Sequence, residues 1–149
     1  MPRTRLISLL SLIIIFAIAL WFFRPRESFI NHQCGLTQND CTVMNEQVRI
    51  HLRASPRPFD ASNMVEMDLK VNFKDKDEKI KDVKVFFIGM SMKIPNGEYI
   101  LREKEDSFYY SKIILPFCSE KIMNWRVHLV IQTNQKSYKS NFDFEAKRL

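Results

Sequence analysis

Apolar and polar residues alternate along most of the chain. In 65–73, every odd position is apolar and every even position is polar or charged. Successive side chains of a β-strand point to opposite faces, so this period of two predicts a strand with one buried face. The alternation predicts about seven strands in all, at 48–52, 65–73, 83–89, 98–102, 108–115, 125–131 and 138–144.

Polar segments separate the predicted strands. Charged turns are expected at Lys74–Lys79 and Glu103–Asp106, and two prolines in 55–58 interrupt the ladder after the first strand. No amphipathic helix pattern competes with the strands. Short strands separated by turns are typical of all-β proteins, and we expect 47–149 to form an antiparallel β-sandwich of immunoglobulin-like type.

The N-terminal part has a different pattern, because Leu6–Phe23 contains no charged residue. A transmembrane helix needs about 20 apolar residues, so this run is just long enough. Arg3 and Arg5 before it would also suit a cleaved signal peptide. However, bulky aromatic residues at 21–23 occupy the C-terminal end of the run, where signal peptidase requires small residues. We therefore expect 1–23 to comprise a cytoplasmic tip and an uncleaved transmembrane helix.

Three cysteines follow this run, at Cys34, Cys41 and Cys118. A short polar loop separates Cys34 from Cys41, which suits a local disulfide in an oxidising compartment, although three cysteines allow three pairings. The range 24–46 has no clear period and is expected to be a tether that such a bond partly fixes. These features favour a single-pass protein of the bacterial inner membrane, with its C-terminal domain in the periplasm.

Composition argues against two classes of function. The formal net charge is +6, but the lysines between 70 and 84 are interspersed with carboxylates, as on a solvated surface rather than a nucleic-acid interface. The chain has three histidines and three glycines, and it lacks a Cys-x-x-Cys motif, a phosphate-binding loop and a nucleophile elbow. We expect neither a nucleic-acid partner nor an enzymatic activity.

Sulfur-containing residues are the candidate chemistry. Met90 and Met92 follow the strand that ends near Gly89, and residues two apart on a strand face the same way. Without a bulge at Gly89, they project from the face opposite the core. Met123 and Cys118 lie in a second sulfur-containing segment, at 115–125. Soft thioether and thiolate ligands select Cu(I), so these four residues form a candidate metal site.

The same residues have a structural interpretation. Methionine is a common core filler, and Met123 shares the parity of Trp125 in its predicted strand. Cys118 could instead be disulfide-bonded to Cys34 or Cys41. A buried Met123 and a disulfide-bonded Cys118 would both be unavailable to a metal.

The chain combines the predicted anchor and sandwich with a Gly-Met-x-Met segment at 89–92 and a Leu-Pro-x-Cys-x-x-x-x-Met-x-Trp segment at 115–125. In these features it resembles small membrane-anchored periplasmic proteins of the FixH/YtkA-like group. The chain departs from that pattern at Lys93, where a second glycine is expected, and it has no histidine close to Met90 in sequence. Members of the group are associated with copper handling and cytochrome oxidase assembly. The resemblance therefore implies Cu(I) as cofactor and a respiratory oxidase or a copper chaperone as partner.

Two functional hypotheses follow. The first is a non-enzymatic, membrane-anchored periplasmic domain that binds Cu(I) and assists copper delivery or oxidase assembly. The alternative is a structural or protein-interaction module without metal, in which Met90, Met92, Phe86 and Ile88 form an exposed apolar patch. Sulfur geometry distinguishes them, because a metal site requires the thioethers to converge.

Overall fold

The computed structural model describes residues 2–22, 26–60, 63–91, 95–115 and 120–148. Within these ranges one helix, α1 (Pro2–Phe22), precedes eleven strands. The strands are β1 (Arg26–Gly35), β2 (Cys41–Met44), β3 (Val48–Ser55), β4 (Phe59–Asp60), β5 (Met64–Phe73), β6 (Ile80–Gly89), β7 (Pro95–Ile100), β8 (Arg102–Glu105), β9 (Phe108–Ile114), β10 (Ile122–Thr133) and β11 (Lys136–Lys147).

The strands form two sheets. A six-stranded sheet has the order β1-β11-β10-β6-β7, with β4 also paired to β11, and a five-stranded sheet has the order β2-β3-β5-β9-β8. Most pairs are antiparallel, while β1 and β4 run parallel to β11. The buried side chains of both sheets form one hydrophobic cluster. The prediction of an all-β sandwich is confirmed.

Strand β10 illustrates how the alternating pattern becomes packing. Its inward positions are all buried, and they are Met123, Trp125, Val127, Leu129, Ile131 and Thr133. The residues between them are half-buried or exposed on the outer face. Full burial of one such aliphatic side chain contributes about 1.5–3 kcal/mol. The repeated inward row therefore fixes which face of the strand meets the opposite sheet.

The number of strands differs from the prediction of about seven. The expected charged turn Glu103–Asp106 is wrong, because most of it belongs to β8 (Arg102–Glu105). All four residues of β8 are exposed and polar, so the strand has no buried face that could produce an alternating pattern. Within the described ranges it pairs only with β9, at the edge of its sheet. A charged edge strand of this kind resists pairing with other chains.

The range 24–46 was expected to be an irregular tether, but it contains β1 and β2. The register of β1 shifts between Ile30 and Cys34, which interrupts any period of two. The predicted disulfide is confirmed: Cys34 bonds to Cys41, with 5.8 Å between their Cα atoms.

The loop closed by this disulfide is bound to the sandwich. Leu36 within it is fully buried, and its N–H donates to the Asp143 carbonyl at 2.8 Å. The Arg57 side chain donates to the Leu36 carbonyl at 3.0 Å and to the Asp40 carboxylate at 2.8 Å. These contacts make the loop part of the folded domain.

Helix α1 contains most of the charge-free run. Its described side chains are those of Leu10 and residues 12–21, and the large apolar ones among them are more than half exposed, up to 72% at Trp21. Within the described part of the chain, no helix combines the length and the hydropathy needed to cross a membrane.

Candidate functional site

The two sulfur-containing segments meet at one end of the six-stranded sheet, where β6 ends and β10 begins. Gly89 is the cross-strand partner of Trp125. One residue further on, the Met90 N–H donates to the Asn124 carbonyl at 2.8 Å. This bond extends the β6–β10 ladder beyond Gly89 and fixes the backbone of Met90. We call this region the Gly89 end of the sandwich.

The two described methionines at this end have opposite environments. Met123 is 2% exposed and shares the inward face of β10 with Trp125, whereas Met90 is 44% exposed. The exposure of Met90 agrees with the outward projection that parity predicts, and the burial of Met123 agrees with the alternative, structural interpretation of that residue. Met92 and Cys118 lie outside the described residues. Strand parity thus assigns the thioethers of Met90 and Met123 to opposite faces of the sheet.

Met123 is packed against Gly89. A Cβ atom at position 89 would overlap the Met123 Cε atom, and it would lie 3.8 Å from the Met123 sulfur and 3.6 Å from the Trp125 ring. The missing side chain of Gly89 therefore makes room for the methionine methyl group. Met123 fills a core gap, as flexible methionine side chains commonly do.

Trp125 brings a buried polar atom to the same place. The residue is 1% exposed, and its indole N–H has no hydrogen-bond acceptor in the described part of the protein. Most buried donors in folded proteins are paired, so this N–H reduces the stability gained from burying the ring.

Other metal ligands are sparse near this end. Among the described residues, no group of three or more histidine, cysteine or carboxylate side chains could hold a metal ion. His51 and His128 are both half-buried, on β3 and β10 and therefore in different sheets. The Cys34–Cys41 bond leaves Cys118 as the one cysteine of the chain outside that disulfide.

The outer face of the six-stranded sheet carries an apolar surface beside Met90. Phe86 and Ile88 are half-buried there and precede Met90 at two-residue intervals along β6. Ile100 of β7, which is 56% exposed, is paired with Lys84 and so lies diagonally from Phe86. We call Phe86, Ile88, Met90 and Ile100 the outer stripe.

Ion pairs border the outer stripe on both sides. On the β10 side, Arg126 makes two hydrogen bonds to Asp143, at 2.7 and 2.8 Å, which raise the pKa of the guanidinium. On the β7 side, Lys84 pairs with Glu98, and the hydrogen bond from that carboxylate raises the pKa of the lysine. Among the described residues, the Arg126 and Lys84 charges beside the stripe are thus each matched by an opposite one.

Sequence reasoning missed Ile100 and both ion pairs. Alternation alone indicates that Arg126 faces outward, but only the pairing of β10 with β6 and β11 reveals its neighbours. Charge complementarity between predicted neighbouring strands was the signal that could have suggested the Arg126–Asp143 pair.

Comparison with known proteins gives little further information. No family model matches the chain, and no curated protein matches it. A crystal structure of a DUF3823 family protein from Bacteroides ovatus ATCC 8483 is similar at 14% identity and a TM-score of 0.38. The match covers 61% of this chain and 54%, about half, of the other. A similarity this distant carries no argument about function.

Proposed function

We propose that the chain is a non-enzymatic, membrane-anchored module of the bacterial envelope that binds a partner protein through the outer stripe. The observation that carries this proposal is the separation of the thioethers, with Met123 in the core and Met90 exposed. Dispersed sulfur atoms favour an interaction surface over a metal site. The ion pairs along its borders leave the stripe with little net charge, which suits an apolar protein surface.

An immunoglobulin-like topology is part of the proposal, and strand order supports it. In such domains the first, second, fifth and fourth strands form one sheet, and the third, sixth and seventh form the other. With β3 taken as the first strand, β3-β5-β9-β8 corresponds to the first sheet and β7-β6-β10-β11 to the second with one added strand. Strands β1 and β2 then extend the sheets at their outer edges.

Membrane anchorage and a periplasmic location belong to the same proposal. They are supported by the charge-free run Leu6–Phe23, by the exposure of the large apolar side chains described in α1, and by the Cys34–Cys41 bond. The full chain should remain in the membrane pellet after alkaline carbonate extraction. A protease added to spheroplasts should digest its C-terminal domain. Release into the carbonate supernatant would contradict the anchor.

The interaction is tested by making the outer stripe polar. We expect the double variant Ile88→Thr, Met90→Gln to lose a partner that cross-links to the wild-type chain in native membranes. The matched control is Met64→Gln, Ile114→Thr, which alters a cross-strand pair that is 45% and 62% exposed on the other sheet. Loss of the cross-linked species in both variants, or in neither, would refute the assignment of the stripe.

A second candidate function is Cu(I) binding with a role in copper delivery or respiratory oxidase assembly. One observation favours it: because Cys34 pairs with Cys41, that disulfide does not consume Cys118. Met90, Met92 and Cys118 could then supply soft ligands without Met123. Titration with Cu(I) against a competing chelator should detect a site that Met90→Leu weakens and Met64→Leu leaves intact. If the two variants bind alike, Met90 is not a ligand.

A further inference from the structure

The five-stranded sheet carries a groove on its outer face, on the other side of the sandwich from the outer stripe. The groove has a volume of about 420 Å³, within the range of about 300–1,000 Å³ that is usual for small-ligand sites. Its floor is formed by β3, β5 and β9. The disulfide loop contributes Asp40 to its lining, and β8 contributes Lys104 and Glu105.

Strand register orders the floor into two adjacent rows. Arg53, Asp68 and Tyr110 are successive partners across β3, β5 and β9, and Lys70 and Phe108 lie in the neighbouring row. Neighbouring strands are about 4.8 Å apart, and residues two apart on one strand are separated by about 6.8 Å. The two rows therefore present their functional groups over an area comparable to one or two sugar rings.

Several charged groups in the groove have no hydrogen-bond or ion-pair partner among the residues that the structure describes. Arg53 and Asp68 face each other across β3 and β5, yet neither side chain makes an ion pair or a hydrogen bond among the described residues. The same is true of Glu105, whereas the Lys104 ammonium makes no ion pair within 4.0 Å in the described ranges but interacts electrostatically with Glu66. The Arg53, Asp68 and Glu105 side chains can therefore bond to a ligand.

In contrast, the Asp40 carboxylate at the side of the groove already contacts other side chains of the protein. It accepts a hydrogen bond from Arg57 at 2.8 Å, and its other oxygen lies 4.0 Å from the His51 ring. The His51 ring is held in turn by the Thr42 hydroxyl at 2.9 Å. This side of the groove is therefore preorganised, and its charges are largely matched before any ligand arrives.

The groove also offers aromatic surface. Phe108 is 38% exposed, and the Lys70 ammonium lies 4.9 Å from its ring centroid. The Tyr110 ring is held in place because its hydroxyl donates to Glu66 at 3.1 Å. The negative face of an aromatic ring attracts weakly positive C–H groups, so both rings can support the apolar face of a ligand.

We propose that this groove binds a neutral carbohydrate. The groove places an unpaired cation (Arg53) beside unpaired carboxylates (Asp68, Glu105) among the described residues, so it offers hydrogen-bond donors and acceptors together without an excess of one charge sign. Sugar hydroxyls both donate and accept hydrogen bonds, and sugar rings have a C–H face that packs on an aromatic ring. The proposal does not rest on the outer stripe, so either can fail alone.

The test is binding of the detergent-solubilised full chain to an array of neutral, sialylated and sulphated oligosaccharides and of charged peptides. Retention of neutral oligosaccharides is expected at both low and high salt, because such ligands carry no charge to be screened. Asp68→Ala and Phe108→Ala should each weaken that binding about tenfold or more. The controls Asp77→Ala and Phe29→Ala remove an exposed carboxylate and an exposed ring elsewhere, and they should bind like wild type.

Three outcomes would overturn the proposal. The first is that no neutral oligosaccharide is retained. The second is retention only of sulphated glycans, sialylated glycans or peptides that high salt releases, which would indicate an ionic site. The third is an equal loss in the control variants. The unfolding midpoint of each variant, measured in the same detergent, distinguishes loss of the site from loss of the fold.

Discussion

The packing role of Met123 leads to a quantitative prediction. Its side chain is 2% exposed and occupies the space above Gly89. Truncation of a buried methionine to alanine costs about 2–5 kcal/mol in unfolding free energy, and the upper half of that range applies where the surroundings cannot collapse. Met90 is 44% exposed, so Met90→Ala should change stability by less than about 0.5 kcal/mol.

Two further variants isolate the contact with Gly89. Met123→Leu keeps the volume but removes the sulfur, and it should cost less than about 1.5 kcal/mol. Gly89→Ala forces the flexible Met123 methyl group to move, which should cost about 1 kcal/mol, at the low end for overpacking. In the Met123→Ala background that cost should vanish, because the new Cβ then enters the vacated space.

The assay is chemical denaturation followed by tryptophan fluorescence, because Trp125 is buried next to Met123. The wild-type chain and each variant are compared in one detergent, so that differences in the midpoint report the domain. The reasoning is refuted if Met123→Ala costs less than about 1 kcal/mol. It is also refuted if the costs of Gly89→Ala and Met123→Ala simply add.

Three other properties should follow from the structure. Replacing Cys34 and Cys41 by serine should lower the unfolding free energy by about 2.5 kcal/mol, the loop-closure value for eight residues, as measured by urea denaturation. Glu78→Ala should cost about 1–3 kcal/mol in the same assay, because it leaves the buried Tyr138 hydroxyl without its acceptor, while the Thr133 hydroxyl can still donate to the Lys136 carbonyl at 2.9 Å. Burial raises the pKa of Tyr109 to about 12 and raises that of Tyr138 as well. Since the unfolded chain then loses these protons first, folding stability should fall as pH rises from about 10 to 12.

Each of these predictions has its own control. In reductant, wild type should fall to the stability of the serine variant, and equal stability before reduction would contradict the disulfide contribution. Asp77→Ala, at an exposed neighbour of Glu78, should stay within about 0.5 kcal/mol of wild type. For the tyrosines, a spectrophotometric titration should show that Tyr109 and Tyr138 ionise above pH 10, together with unfolding of the domain. Ionisation of Tyr109 and Tyr138 near pH 10 in the folded chain would contradict the burial argument.

The fold was predictable wherever a strand has one buried and one solvated face. Strands β5 and β10 satisfy this condition along their whole length, and alternation located both. Strand β8 has no buried face, and β1 pairs with β11 through a shifted register, so neither produces a regular period. Pairing with another strand, rather than an alternating pattern, determines these edge strands: β8 pairs with its neighbour β9, and β1 pairs with the distant β11.

The candidate sites, like the fold, were only partly predictable from the sequence. Parity indicated an outward Met90 and allowed a buried Met123, and both side chains follow the faces of their strands, although the sequence analysis grouped the two residues in one candidate metal site. The packing of Met123 on Gly89 depends on the β6–β10 register and could not be read from either segment. The carbohydrate groove is still less accessible to sequence reasoning, because Arg53 and Asp68 are ordinary surface residues until β3 and β5 bring them together.

Photo-cross-linking in native membranes shows whether the outer stripe contacts a partner protein. A photoreactive phenylalanine analogue is placed at position 90 in one chain and at position 64 in another, where the two wild-type methionines have nearly equal exposure on different sheets. The outer stripe predicts one discrete protein adduct from position 90 and none from position 64. Absence of an adduct from position 90, or the same adducts from both positions, would contradict the account.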